Sequence, residues 1–126
     1  MLKRNAGVLT LSLLLAIAGP LPALAQAPGD AAALLRQAIE LYNSGNAAEA
    51  LPLAQKALPL LEQHNGPDHL DVAAAHNYLG VLQQQLGRPK EAETAYLRAM
   101  AIRQRALGTE HAQVAMSAEN LAALYR

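Results

Sequence analysis

The 126-residue chain carries ten basic and ten acidic side chains, no cysteine, no Phe or Trp, and four Tyr as its only aromatic residues. Such balanced charge argues against a nucleic-acid partner, whose binding draws on a concentrated basic field. Without cysteine there are no disulfides, so stability must come from packing Leu, Ala and Val.

The first element is a targeting segment. Met1-Leu2-Lys3-Arg4 makes a short basic start, and Ala6 to Ala18 is apolar apart from Gly7, Thr10 and Ser12. Pro20 and Pro22 then break any helix, and Ala23-Leu24-Ala25 is a small-x-small cleavage site. This is the three-part layout of a secretory signal peptide, and a membrane anchor would need about 20 apolar residues. Cleavage is expected after Ala25, giving a periplasmic or secreted protein with no membrane attachment thereafter. Loss of Lys3 and Arg4 leaves eight basic against ten acidic side chains. Residues 26–30 form a short linker, and 31–126 one helical domain.

Asp30 is the expected N-cap of a helix over Ala31 to Asn43. A second helix, 47–64, starts at Asn46, with Glu49 three residues on in a capping-box-like arrangement. It contains Pro52 and Pro59, and the internal Pro59 removes a hydrogen bond to the Gln55 carbonyl and predicts a bend. The stretch "HNGPDHLDVAAAH" follows, with Gly66-Pro67 as a turn, Asp68 as N-cap and His69 opening the third helix. From Ala74, the residues Ala75, Tyr78, Leu79, Leu82 and Leu86 mark one helical stripe. Gly87 ends that helix, Pro89 opens the next, and Ala92, Ala95, Tyr96, Ala99, Met100 and Ile102 face back toward its predecessor. That fourth helix runs to Leu107, where Gly108 stops it, and a fifth spans roughly His111 to Tyr125.

The chain is internally repeated. Residue i laid over i+42 pairs Gly45 with Gly87, Glu49-Ala50 with Glu91-Ala92, Gly66 with Gly108, His69 with His111, and Val72-Ala73 with Val114-Ala115. A fixed period of this size marks a solenoid, in which each unit needs its neighbour to bury its apolar side. The joints fall near 66–68 and 108–110. Here the stretch "LGVLQQQLGRPKEAETAYLRAMAIRQRALGTEH" resembles the tetratricopeptide repeats, closest to the 42-residue variety of kinesin light chains and many bacterial proteins. The matching residues are Leu79-Gly80, Gly87, Glu91-Ala92, Tyr96 and Ala99. The resemblance covers roughly 31–126 and implies an all-α solenoid of antiparallel helix pairs, about two and a half repeats long.

Chemistry-bearing constellations are scarce. His69 and His76 stand seven residues apart, about 10.5 Å along a helix axis, too far for one metal ion. The repeated histidines are therefore expected to pack and hydrogen-bond at the joints, with a metal-handling role as the lesser alternative. Ser44 and Ser117 lack a nucleophile motif, no Gly-rich phosphate loop occurs, and Glu91 and Glu93 face different sides of their helix. No catalytic residue and no cofactor is expected. Arg98, Arg103 and Arg105, interleaved with acids, read as a solvated helix face.

The resemblance implies a non-enzymatic scaffold or adaptor that holds a protein or peptide partner in a groove lined by the first helix of each unit. Geometry then nominates Leu35, Ile39 and Tyr42 on the first helix, Asn77, Val81 and Gln84 on the third, and Glu119 and Ala123 on the fifth. Exposed amides at Asn77 and Gln84 would suit an extended peptide backbone. On the fifth helix Val114, Ala118, Leu121 and Tyr125 are expected to pack back, while Ala115, Ala122 and part of Leu124 face outward. That leaves residues 111–126 open to weak self-association, with a truncated member of a longer array as the alternative expectation.

Overall fold

The computed structural model describes residues 29–126, and the expected signal peptide lies outside them. Among the described residues five helices follow one another and no strand occurs: α1 (Gly29–Asn43), α2 (Ala47–Asn65), α3 (Leu70–Gln85), α4 (Pro89–Leu107) and α5 (Ala112–Tyr125). Each helix packs chiefly on its neighbours in sequence, α1 on α2, α2 on α3, α3 on α4 and α4 on α5. This is the all-α array of helix pairs that the period implies. The first helix begins at Gly29, so Asp30 sits in its first turn and is not its cap.

Glycine punctuates every connection. Gly45, Gly66, Gly87 and Gly108 all have positive φ, between 73° and 90°, a region closed to most side chains. They fall in two pairs 42 residues apart, Gly45 with Gly87 and Gly66 with Gly108. The turns themselves thus repeat with the sequence.

The core is aliphatic and built from small residues. Ala31, Ala38, Ala50, Ala54, Ala57, Ala73, Ala92 and Ala99 are fully buried, with Leu35, Leu61, Val72, Leu82 and Ile102 between them. Alanine costs nothing in side-chain entropy on helix formation and lets helices approach closely. The closest approach is at Gly80, where an added Cβ would lie 2.5 Å from the Tyr96 ring. The α3–α4 pair is therefore locked by a glycine beneath an aromatic ring.

Helix α2 runs unbroken through Pro52 and Pro59. Pro59 and the residue one turn before it, Gln55, both lie on the exposed side, so water can serve the carbonyl that loses its donor. At the start of α2 the expected capping box does not form: Asn46 makes no side-chain cap, and its carbonyl accepts from Glu49 and Ala50 at 3.2 and 3.0 Å instead.

Candidate functional site

The joints between units show what the duplicated histidines do. His69 is the N-cap of α3, its Nδ1 accepting from the Asp71 N–H at 3.0 Å. His111 caps α5 in the same way, accepting from Gln113 at 3.1 Å. An imidazole nitrogen thus does the work usually given to a Ser, Asp or Asn oxygen, which requires the neutral Nε2–H tautomer. The Nδ1 lone pair being so used, the 3.6 Å approach of Asp71 Oδ2 is no ion pair. Asp71 is fully buried, accepts from Asn65 Nδ2 at 3.1 Å, and its pKa is raised by burial.

Asp68, the expected cap, has another task. Its Oδ1 accepts from Arg98 Nη2 at 3.3 Å and faces Arg105 Nη1 at 3.1 Å, while Arg98 also donates to the Pro67 carbonyl. The turn between units is thereby tied to α4. Among the described residues no group of three or more His, Cys, Asp or Glu is arranged to hold a metal ion.

Arg103 departs from the solvated face expected of the three arginines. It is 1% exposed and donates to Ser117 Oγ at 2.8 Å across the α4–α5 contact, and burial lowers its pKa to about 10. Register carries the signal for this: the residue 42 positions earlier is Leu61, itself fully buried.

The groove candidates divide into buried and accessible sets. Leu35, Ile39 and Val81 are core residues. Asn77 is not an exposed amide: it is fully buried, and its Oδ1 accepts from Asn120 Nδ2 at 2.9 Å. Its equivalent in the first unit is the buried Leu35, so the position was a core position with a polar occupant. Tyr42 is half-buried, and Gln84, Glu119 and Ala123 are exposed. Gln84 Oε1 accepts from the Tyr96 hydroxyl at 2.9 Å, which leaves its amide nitrogen to donate outward. Tyr78 of α3 has its hydroxyl buried and, among the described residues, unpartnered; burial, with Tyr42 close by, raises its pKa.

On α5 the packed stripe is Val114, Ser117 and Leu121, while Ala118 is exposed and Tyr125 is 62% exposed. The correction has a physical reason, because turning the helix so that Ser117 meets Arg103 swings Ala118 away from α4, while Tyr125, though largely exposed, keeps a side-chain hydrogen bond with Glu93 of that helix. Ala115 and Ala122 are exposed, as expected.

A sequence profile described as tetratricopeptide repeat matches residues 30–105 and again 72–126. The chain belongs to the tetratricopeptide repeat family. Its two matched segments begin 42 residues apart, the spacing of the glycine turns and histidine caps. No curated protein matches the chain. Repeats of this family generally mediate protein–protein interaction, and the family is typically non-enzymatic.

Proposed function

We propose that this tetratricopeptide protein is an exported, non-enzymatic scaffold or adaptor of the 42-residue, kinesin-light-chain-like variety. It holds a peptide or protein segment on the surface formed by the first helices of its units, α1, α3 and α5. The observation that supports this reading best is the Asn77–Asn120 hydrogen bond at 2.9 Å. It fastens α3 to α5 side by side, so that a rigid floor carries Tyr42, Gln84, Glu119 and Ala123 at its rim. Preorganised surfaces of this kind lower the ordering cost of binding.

Recovery of partners from an extract of the native host tests it. A Gln84→Ala, Glu119→Ala double variant should lose partners that the wild type retains, while keeping its helical spectrum. Equal recovery of every partner by both forms would count against the groove. Export is checked separately by N-terminal sequencing, which should find Gln26 first.

A second reading, weak self-association through α5, is favoured by a different observation. Ala115, Ala118, Ala122 and Ala123 are exposed on one helix whose last turn also carries the exposed Tyr125.

A further inference from the structure

A cleft of about 530 Å³ opens between α2 and α4, with α3 as its floor. It falls within the roughly 300–1,000 Å³ of small-ligand sites. Its apolar walls are Leu58, Leu79 and Ala95, and its polar groups include Glu62, His76 and Thr94. The α3 side chains that line it, His76, Leu79 and Gln83, lie about 130° around that helix from Asn77, Val81 and Gln84, at 3.6 residues per turn. The cleft is therefore a different surface from the one that serves the proposed function.

Three features of its chemistry point one way. Glu62 is half-buried and enters no ion pair among the described residues. His76 is half-buried too, its imidazole making no hydrogen bond within the described residues, and it is neutral near pH 7 because burial and the Arg98 charge depress its pKa to about 4. Thr94 donates its hydroxyl proton to the Lys90 carbonyl at 3.2 Å, leaving the oxygen lone pairs as acceptors. Arg98, the cation at the rim, is already committed to Asp68 and the Pro67 carbonyl. The cleft thus offers acceptors beside apolar walls, and one carboxylate, Glu62, lacks a counter-charge among the described residues.

We propose that this cleft receives an arginine side chain from a partner protein. Its aliphatic stem lies along Leu58, Leu79 and Ala95, as long basic side chains do on apolar surface. The guanidinium meets Glu62 with charge-assisted hydrogen bonds, and its remaining N–H donors turn to the His76 nitrogen and Thr94 Oγ1. A planar fork of five donors fits several acceptors at once, which a lysine ammonium does less well. An anionic side chain would be repelled by Glu62, and a purely apolar one would strip water from that carboxylate without replacing it.

Titration of the ¹⁵N-labelled full chain with Nα-acetyl-arginine amide, followed by heteronuclear NMR, tests this. Saturable shifts should appear at the backbone amides of 58, 62, 76, 79 and 95. Nα-acetyl-norleucine amide, which keeps the stem and lacks the charge, should give no saturable shift there. Glu62→Gln should weaken the arginine complex about tenfold, as loss of one charge-assisted hydrogen bond implies, with the rest of the spectrum unchanged. Equal response to norleucine, indifference to Glu62→Gln, or no shift at these positions would overturn the assignment. Shifts confined to 42, 84, 119 and 123 would overturn it as well, while supporting the groove on the first helices.

Discussion

A helix start leaves four N–H groups without partners, and at residue 69 the chain answers one of them with an imidazole. His69→Ala should cost about 1 kcal/mol of folding free energy, the usual worth of an N-cap. His69→Asn, which restores an acceptor at similar reach, should recover most of it in urea denaturation; an alanine variant as stable as wild type would mean that the Nδ1 contact contributes nothing. The sequence placed these histidines at the joints but assigned the cap to Asp68, because aspartate is a common cap and histidine is not. Register held the correct answer. The residue 42 positions after Asp68 is Glu110, whereas His69 recurs as His111, and a duplicated role requires a duplicated residue. Likewise Asn46 recurs as Arg88, and neither makes a side-chain cap. Leu35 forecasts the burial of Asn77, and Leu61 that of Arg103. What register could not supply was the partner: Asn120 and Ser117 stand opposite these polar residues only once α5 has been laid against the array.

Between helices the same bookkeeping explains the glycine in α3. Gly80 and Tyr96 pack as void against ring, while the first unit has Ala38 and Ala54 at the equivalent positions, both fully buried. Gly80→Ala gains about 1 kcal/mol of helix propensity but drives a methyl group into the Tyr96 ring, an overpacking cost of typically 1–3 kcal/mol. The net should be destabilising, and adding Tyr96→Leu should relieve the clash, so the two changes are not additive. A Gly80→Ala variant more stable than wild type would show that the helix pair simply slides apart. The cleft between α2 and α4 adds a pH dependence. His76 stays neutral in the folded chain down to about pH 4, whereas the unfolded chain takes the proton near 6.5. The unfolded state therefore binds more protons in that window, and stability falls as pH drops from about 6.5 toward 4. The loss from this residue is at most roughly 3 kcal/mol, less where water reaches the ring. Asp71 works oppositely, since its raised pKa favours the folded state on acidification. The measurement is thus the difference between wild type and His76→Gln, whose stabilities should diverge between pH 7 and 4.5, with the variant losing less. Parallel curves would place the imidazole in water.

At the scale of the whole molecule, a solenoid buries each unit against the next, so a helix face that no neighbour covers is normally polar. One face of α5 is not. Its inner stripe is held by Val114, Leu121 and the Arg103–Ser117 bond, and the flank about 100° around the helix from it presents Ala115, Ala118 and Ala122, with Leu97 of α4 44% exposed. An alanine face lets another helix approach closely but carries little area. At about 25 cal/mol per Å², 300 Å² of it is worth roughly 7 kcal/mol, which association costs of similar size nearly cancel. The expected outcome is weak self-association and not a tight dimer. In sedimentation the average mass should rise with concentration, and Ala122→Glu should abolish the rise by setting carboxylates face to face in the joint. Because Ala122 is exposed, the variant should keep the stability of the wild type. A strict monomer at high micromolar concentration, unchanged by the substitution, would mean that a bare alanine face is simply tolerated in water, and the second reading of function would fall with it.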